Sequence, residues 1–397
     1  MLPDCDRAPG VRDENDTGSF ESAQCSAAAM PNILFAVKGP IVGGGIGHGR
    51  KTSRGSRVSA RAAYCRFVRE TGVRMRRVSF DELDALSGDW DARVAQDAGV
   101  DAFCSRSAWQ IAFARAFEPD RVLWLDHRDE AMVVLAERAN GVLECLENMW
   151  GFGTPLIGPG AAELVSPWLL ERPRPAVLRG LPATRELLAP LVESLAPSYE
   201  FSVLPPTTRF VAPLAEGVEG WLAGRRPSFR RNLRAALRRV DAAGIEFRWS
   251  EVNSEETMKT LYATILDVEA RSWKGLRGEG AGTGPMEEFY RRLWPLLVQR
   301  GRLGVLLAER NGVAVGYLHG GRVGDHFRGL QFSFDQAHAD VGLGNALQFR
   351  ALGHLAQAGV RSYDLGGFSD YKGRWGDEGL QTMGLVLRPR NAAGTLD

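Results

Sequence analysis

The sequence predicts a mixed α/β (α+β) fold of two tandem halves, each a mixed, largely antiparallel sheet flanked by helices. The chain has 397 residues, which is enough for two ordinary domains. Its 44% hydrophobic and 24% charged residues exclude a disordered chain, a coiled coil or a disulfide-stapled small domain. From Val78 onward, amphipathic helical segments alternate with short apolar strand segments, and the order of elements repeats. We therefore expect one domain at residues 75–215 and a second at residues 216–397.

The first 74 residues differ in composition from the rest of the chain. Residues 1–30 are acidic, small and polar, whereas residues 38–74 carry nine basic side chains and one acidic one, Glu70. The apolar stretch between these segments is too short and too interrupted to span a bilayer. The acidic residues before it do not resemble a secretion signal. We expect residues 1–74 to be either a disordered extension or the product of a start codon assigned too far upstream.

The charge balance argues against nucleic acid or an acidic membrane as a general partner. Lysine plus arginine (49) nearly equals aspartate plus glutamate (48), and the part from residue 75 onward carries about −3. The five cysteines form no CxxC pair, so neither a disulfide framework nor a metal cluster is expected. These observations predict a cytoplasmic protein without a membrane span, and they leave the oligomeric state open.

Helical periodicity and turn signals locate the elements of the first half. Helices are predicted over residues 79–96 and 107–118. Asn140–Gly141 separates two apolar runs and predicts a hairpin turn, because both residues tolerate a positive φ. Three strands are predicted around this turn, at residues 121–127, 131–137 and 142–147.

The second half begins with two helices, over residues 226–244 and 254–273, the latter opened by a Ser254 cap. A three-strand meander is predicted next, at residues 303–310, 313–321 and 326–335. A helix over residues 342–359 and two further strands, at 361–367 and 382–390, complete the half.

A glycine-rich entry to the helix at residues 342–359 predicts an anion site. The residues Gly342, Leu343, Gly344 and Asn345 precede or open this helix. Glycines let the backbone approach an anion closely, while the free N–H groups and the helix dipole favour negative charge. A turn that merely allows the helix to begin is the alternative interpretation.

Four segments in this order resemble the FemAB-like branch of the GNAT acyltransferases. They are RRNLRAALRR, EARSWKG (269–275), FSFD before DVGLGNAL, and DLGG followed by SDYKGRWG (364–376). The resemblance covers roughly residues 78–390 and implies two GNAT-like halves. It also implies that the pyrophosphate of coenzyme A rests on the backbone of residues 342–345. The arginine- and glutamine-rich coenzyme A loop of simple GNAT enzymes is imperfect in this chain.

The resemblance also implies a catalytic lysine. Peptidoglycan-bridge members of the branch place a lysine of an F-K-x-x-F-G pattern near the acyl carbonyl, and Tyr371, Lys372, Trp375 and Gly376 are similar in layout. An ammonium at that position could stabilise the negative charge that develops on the carbonyl oxygen. A solvated loop lysine stacked on Trp375 is the alternative interpretation. Lysine is scarce, with only five in the chain, which makes Lys372 more conspicuous.

Two carboxylates complete the predicted catalytic set. Asp364 ends a strand beside two glycines, where it could orient the acceptor amine or take its proton, or only cap a turn. Glu269 ends a helix before a glycine-rich loop, and a solvated glutamate is its alternative interpretation. The predicted substrate-binding residues are Trp273, Lys274, Asp335, Tyr371, Trp375, Arg230 and Arg234. Turn capping by Asp335 and a solvated arginine face remain open.

These observations predict an N-acyltransferase that moves an acyl group from acyl-coenzyme A to an amine. The acceptor would be an amino sugar, an amino acid or a peptide intermediate, and attack would be direct. Acetyl- or acyl-coenzyme A is expected as cosubstrate, with no permanently bound cofactor and no metal. Two alternatives remain: transfer from aminoacyl-tRNA, although the long helical arm of some tRNA-using members is absent, and a non-catalytic binding module.

Overall fold

The computed structural model describes residues 75–252 and 254–390, and the prediction for residues 1–74 lies outside this range. The ten helices of the described residues are α1 (Phe80–Ala85), α2 (Ser87–Gln96), α3 (Ser107–Phe117), α4 (Ala161–Glu171), α5 (Arg185–Leu195), α6 (Gly217–Ala223), α7 (Pro227–Ala242), α8 (Glu255–Arg271), α9 (Gly284–Gln299) and α10 (Leu343–Gln357). The strands are β1 (Arg76–Val78), β2 (Val122–Arg128), β3 (Ala131–Glu137), β4 (Leu143–Glu144), β5 (Leu156–Ile157), β6 (Ala176–Pro182), β7 (Tyr199–Pro213), β8 (Ile245–Glu251), β9 (Leu303–Arg310), β10 (Val313–Val323), β11 (His326–Phe334), β12 (Ser362–Gly367) and β13 (Asp377–Pro389).

All of these strands belong to one mixed sheet. Its order is β1-β2-β3-β4-β6-β13-β7-β12-β11-β10-β9-β8, and β5 pairs with β3. Strand β13, from the end of the chain, lies between β6 and β7 and pairs antiparallel with both. Parallel pairs join β4 to β6 and β11 to β12. The two halves of the chain therefore share a continuous sheet through β7 and β13.

The structure confirms most of the predicted elements and corrects several boundaries. The β9–β11 meander is antiparallel, and its first turn has positive φ at Asn311 (51°) and Gly312 (76°). The helix predicted over residues 79–96 is interrupted at Leu86, whose N–H bonds back to carbonyls of α1. The last strand begins at Asp377, earlier than predicted, because its first residues pair with β7.

Strand β4 covers only two residues of the strand predicted over residues 142–147. The cause is Glu147, whose side chain is fully buried and accepts hydrogen bonds from four backbone N–H groups of residues 149–152. These bonds fold the glycine-rich segment into a compact loop, which satisfies its backbone donors without a strand partner.

Helices cover both faces of the sheet in the second half. On β9, Leu306 and Ala308 pack in a core with α7 and α10, whereas Val305 and Leu307 pack with α3, α8 and α9. This alternation is the period-two pattern of a strand buried on both sides. Helix α3 thus brings the first half of the chain against the sheet of the second. In the described part of the chain, no helix is long and apolar enough to cross a membrane.

Strands β11 and β12 separate soon after they begin. Within the described residues their parallel pairing ends at Arg328 and Asp364. Strand β12 then bulges at Gly366, which has a φ of +92°, and continues beside β7. Residues 329–334 of β11 remain paired with β10 alone. We call the opening between residues 329–334 and residues 365–367 the β11–β12 cleft.

Candidate active site

The predicted anion site lies at the N-terminus of α10. Gly342 is the N-cap residue with a φ of +80°, and no side chain caps the helix. A Cβ atom on Gly342 would lie 2.9 Å from Ala236 Cβ and 3.2 Å from Arg239 Nη2, and one on Gly344 would lie 2.9 Å from the Phe334 ring. Leu343 is fully buried, so only its backbone can face a ligand. The geometry allows backbone N–H groups to meet an anion, and Arg239 stands beside them.

We expect Gly342→Ala to destabilise the fold and to weaken binding at this helix start. The left-handed backbone and the contact with Ala236 should together lower the free energy of unfolding by about 1–2 kcal/mol. Gly353→Ala is the matched control, since a Cβ there meets nothing within 4 Å and lies inside the same helix. Urea unfolding should show no loss for the control, because alanine favours a helix interior. Equal stability of the two variants would contradict the left-handed, closely packed position of Gly342.

A pocket of about 90 Å³ adjoins the helix start, between α7, α10 and the segment that follows β12. It is lined by Phe229, Asn232, Leu233, Asn345, Tyr371, Arg374 and Trp375. Of the predicted substrate-binding aromatics, Trp375 is fully buried and stacks on Trp221 at 5.5 Å, and Tyr371 packs against Phe332. Trp375 is therefore primarily a core residue, with one side in the pocket.

The structure places Arg239, rather than the predicted Arg230 and Arg234, beside the start of α10. Arg230 and Arg234 lie nine and five residues before Arg239, which places them about 180° and 140° away around α7. Arg234 is exposed and Arg230 half-buried. The side of α7 that faces the α10 N-terminus carries Arg239 and Asn232. Both belong to the segment RRNLRAALRR, in which only Arg230 and Arg234 were predicted to bind substrate.

A buried ion-pair network joins the first half of the chain to the β11–β12 cleft. Asp364 Oδ2 accepts from Arg209 Nη1 at 2.9 Å, and its Oδ1 accepts from Arg328 Nη1 at 2.7 Å. Arg209 also pairs with Asp101 at 2.6 Å, and each of these four side chains is at most 6% exposed. Both arginines lie over the Phe152 ring, at 5.4 and 4.7 Å.

The network keeps Asp364 ionised, and both of its carboxylate oxygens accept hydrogen bonds from arginines. Burial alone would raise the pKa of Asp364, but Arg209 and Arg328 lower it to about 2. Gly366 N also donates to Oδ1 at 2.7 Å. A carboxylate with this pKa is a weak base near neutral pH, so the geometry favours a positioning role over proton abstraction. Asp101, His326 and Asp364 have side chains of the types that bind metal ions, and their possible ligand atoms lie within 4.8 Å of one another. Two arginines, Arg209 and Arg328, already bind the two carboxylates.

Lys372 lies at the β12 wall of the cleft. Its Nζ donates to Gly367 O at 3.1 Å and would be 3.2 Å from a Cβ atom on Gly366. The pKa of Lys372 is lowered to about 8, mainly by burial and by the nearby Arg328. Lys274 lowers it slightly more, whereas Asp364 opposes the shift. The side chain is therefore still largely an ammonium at neutral pH, in a largely buried position where its charge acts strongly.

Glu269 and Lys274 lie together at the β11 wall of the cleft, and Glu269 is buried rather than solvated. Glu269 is 2% exposed, and it accepts from Tyr317 Oη at 2.8 Å and from Ala281 N at 2.9 Å. Lys274 Nζ is 3.8 Å from Glu269 Oε1 and 3.4 Å from Phe332 O. Burial lowers the pKa of Lys274, which Glu269 partly offsets.

The remaining predicted residues have structural partners. Asp335 caps the turn after β11 through Ala337 N and pairs with Arg271 at 2.7 Å, as its alternative interpretation supposed. Trp273 is half-buried beneath the Arg277 guanidinium at 5.3 Å. Neither contact brings a reactive group to the cleft.

Comparison with known proteins identifies the second half of the chain. A family model described as the acetyltransferase (GNAT) domain matches residues 227–378. Residues 227–378 are a GNAT domain. The resemblance predicted from the sequence is thus confirmed at the level of this domain, whose family supports acyltransferase activity. No curated protein matches the chain in sequence.

Two solved structures with TM-scores of 0.50 and 0.51 share the fold over both halves of the chain. A conserved protein of unknown function from Bacteroides thetaiotaomicron VPI-5482 has 10% identity and a TM-score of 0.51, covering 80% of this chain and 100% of that chain. The C-terminal DUF2156 domain of an Agrobacterium fabrum protein has 12% identity and a TM-score of 0.50, covering 79% and 93%. FemX is similar at 11% identity and a TM-score of 0.47, covering 78% and 96%. At these identities the similarity concerns the fold alone.

Proposed function

We propose that this GNAT protein transfers an acyl group from acyl-coenzyme A to an amine by direct attack. The observation that carries the proposal is the position of Lys372, whose ammonium group lies on the wall of the β11–β12 cleft. An open strand edge and a helix N-terminus flank the same region. Together they match the three parts of an acyl-coenzyme A molecule: the thioester, the amide-containing arm and the phosphates.

The donor would lie along residues 329–334 with its phosphates at the start of α10. The edge of β11 that turns away from β10 has backbone groups without a β12 partner, and an extended ligand with amide groups can pair with such an edge. The α10 N-terminus and Arg239 would then hold the pyrophosphate by charge-assisted hydrogen bonds. This arrangement places the thioester near Lys372.

The chemistry follows from the groups around the thioester. The neutral amine attacks the carbonyl carbon, a C–N bond forms and the C–S bond breaks. The amine releases one proton, and coenzyme A leaves as a thiolate that takes up a proton. The Lys372 ammonium stabilises the intermediate negative charge on the carbonyl oxygen. Burial raises the pKa of Cys104 well above its usual range and that of Cys145 to about 12, so neither described thiol is suited to a covalent intermediate.

In this proposal Asp364 and Glu269 act through other residues. Asp364 binds Arg209 and Arg328, of which Arg328 is close enough to lower the pKa of Lys372. Glu269 holds Tyr317 and the loop that contains Ala281. The acceptor would enter between the halves, near Lys372. We propose an amino sugar, an amino acid or a peptide intermediate as the acceptor, and we propose that the chain belongs to the FemAB-like branch.

Thermal unfolding of the full chain with acetyl-coenzyme A tests the donor site. A bound ligand raises the midpoint in a concentration-dependent way, corresponding to about 2.7 kcal/mol at one hundred times the Kd. We expect Arg239→Ala to weaken the apparent affinity for acetyl-coenzyme A at least tenfold, because a charge-assisted hydrogen bond to phosphate is lost. The midpoint of this variant should therefore rise less at the same ligand concentration. Arg388→Ala is the control, since that arginine is exposed and lies on β13, three strands away from β11 in the sheet.

The outcomes separate the alternatives. A loss of affinity with Arg234→Ala instead of Arg239→Ala would favour the arginines predicted from the sequence. No rise with any acyl-coenzyme A, combined with salt-sensitive binding of tRNA, would replace the donor by aminoacyl-tRNA. A rise without turnover for any amine would identify a binding module.

A further inference from the structure

Two lysines lie on opposite walls of the β11–β12 cleft. Lys372 Nζ donates to Gly367 O on β12, and Lys274 Nζ lies 3.4 Å from Phe332 O on β11. They are close enough that the Lys274 charge contributes to lowering the pKa of Lys372. Like charges in one opening are unfavourable unless something negative comes between them.

The charged residues that line and support the cleft lack one negative charge. The connected side chains are Asp101, Arg209, Glu269, Lys274, Arg328, Asp364 and Lys372. Four are basic and three are acidic, so the group has a net charge of +1 when both lysines are protonated. An uncompensated charge in a buried position is costly, and it is relieved by loss of a proton or by arrival of an anion.

Lys274 has hydrogen-bond donors that its neighbours hold only loosely. Its side chain is 10% exposed, and an ammonium has three donors, yet the nearest acceptors stand at 3.4 and 3.8 Å. On the neighbouring face of β10 and β11, His319 Nδ1 and Ser333 Oγ are buried without a hydrogen-bond partner among the described residues. Burial and then Lys274 lower the pKa of His319 to about 3, so this imidazole is neutral.

We propose that the β11–β12 cleft binds a carboxylate of the substrate between Lys274 and Lys372. The inference rests on the proposed acyl transfer and narrows its substrate class to one with a carboxylate near the attacking amine or at the far end of the acyl group. A carboxylate fits because it accepts from two ammonium groups and cancels the excess charge. Glu269 lies 3.8 Å from Lys274 Nζ and favours the protonated form of that lysine.

The carboxylate has two possible sources. It belongs to the acceptor when the amine is an amino acid, and to the donor when the acyl group is a dicarboxylic one. Paired substrates distinguish these sources: α-amino acids against their α-amides with acetyl-coenzyme A, and succinyl- against acetyl-coenzyme A with a neutral amine. Release of the coenzyme A thiol reports kcat/KM for each pair.

We expect the carboxylate-bearing member of one pair to react about 10- to 100-fold faster, the range for a hydrogen bond between charged groups. Lys274→Met should bring that ratio close to one, while Lys274→Arg keeps most of it. Lys259→Met is the matched control, since Lys259 is exposed, paired only with Glu255, and outside the cleft. Calorimetry of wild-type protein near pH 8 should also show proton uptake when the carboxylate-bearing probe binds, because an anion raises the pKa of both lysines.

Two results would overturn the inference: equal rates for both members of both pairs, or a carboxylate preference that survives in Lys274→Met. The calorimetric measurement uses wild-type protein, so absence of carboxylate binding or proton uptake overturns it even when the variant fails to fold. Failure of the proposed function differs, because then no thiol is released from any pair and acetyl-coenzyme A does not stabilise the chain.

Discussion

Asp364→Asn should lower the free energy of unfolding by about 3–5 kcal/mol, the cost of removing one partner from a buried ion pair. Asparagine keeps the shape of the side chain but leaves Arg209 and Arg328 facing each other with one counter-ion fewer. Both guanidinium groups are at most 6% exposed, so water cannot compensate. Urea unfolding followed by tryptophan fluorescence would measure the change.

The control for this variant is Asp325→Asn, in the turn before β11. Asp325 and its partner Arg361 are both more than 60% exposed and 3.9 Å apart, so about 0–1 kcal/mol is expected. The Asp364 contribution also has a defined pH dependence. Because its pKa is lowered to about 2 in the folded state, its stabilisation is complete above the unfolded pKa near 4 and disappears as the pH falls through about 2. Equal losses in the two variants would contradict the buried network.

Lys372→Met should lower kcat by about 10²–10³, the range for removal of one oxyanion-stabilising group. Met conserves the length of the side chain, so the KM for acetyl-coenzyme A should change little. Lys372→Arg should restore part of the rate, because a cation returns to the same wall of the cleft. An initial-rate assay of thiol release, with the Lys259→Met variant as control, would measure these effects.

The pH profile tests the protonation state that this role requires. Lys372 acts as an ammonium, so with saturating substrates its contribution to kcat should be present below its pKa of about 8 and decline as the pH rises through that value. In Lys372→Arg the declining limb should move to higher pH, since the arginine pKa exceeds 12. A limb that stays in place in the Arg variant would assign the titration to another group.

Local patterns were sufficient for most elements of the second half. The Asn311–Gly312 turn, the Ser254 cap of α8 and the entry to α10 are encoded by residues adjacent in sequence, and the structure has each of them. The insertion of β13 between β6 and β7 could not be predicted from the sequence, because the strands that pair with β13 lie far away in the chain. The same applies to its early start at Asp377, which pairing with β7 stabilises.

The site shows the same division between local and distant information. Lys372, Asp364 and Glu269 were identified from short motifs, but their environments depend on partners such as Asp101, Arg209 and Arg328, which no local pattern marks. Asp364 and Arg209 are 155 residues apart in sequence, and only the folded sheet brings them to 2.9 Å. Helical spacing could have separated Arg239 from Arg230 and Arg234, but only once the position of α10 relative to α7 was known.

The most direct test of acyl transfer at this site is thiol release from acetyl-coenzyme A, measured for the full chain and for Lys372→Met over a panel of amino acids, their amides and amino sugars. We expect release that depends on an added amine, yields an equal amount of N-acetylated product, and falls by about 10²–10³ in the variant. Release that is independent of the amine, or equal in both proteins, would contradict transfer at the Lys372 wall of the cleft.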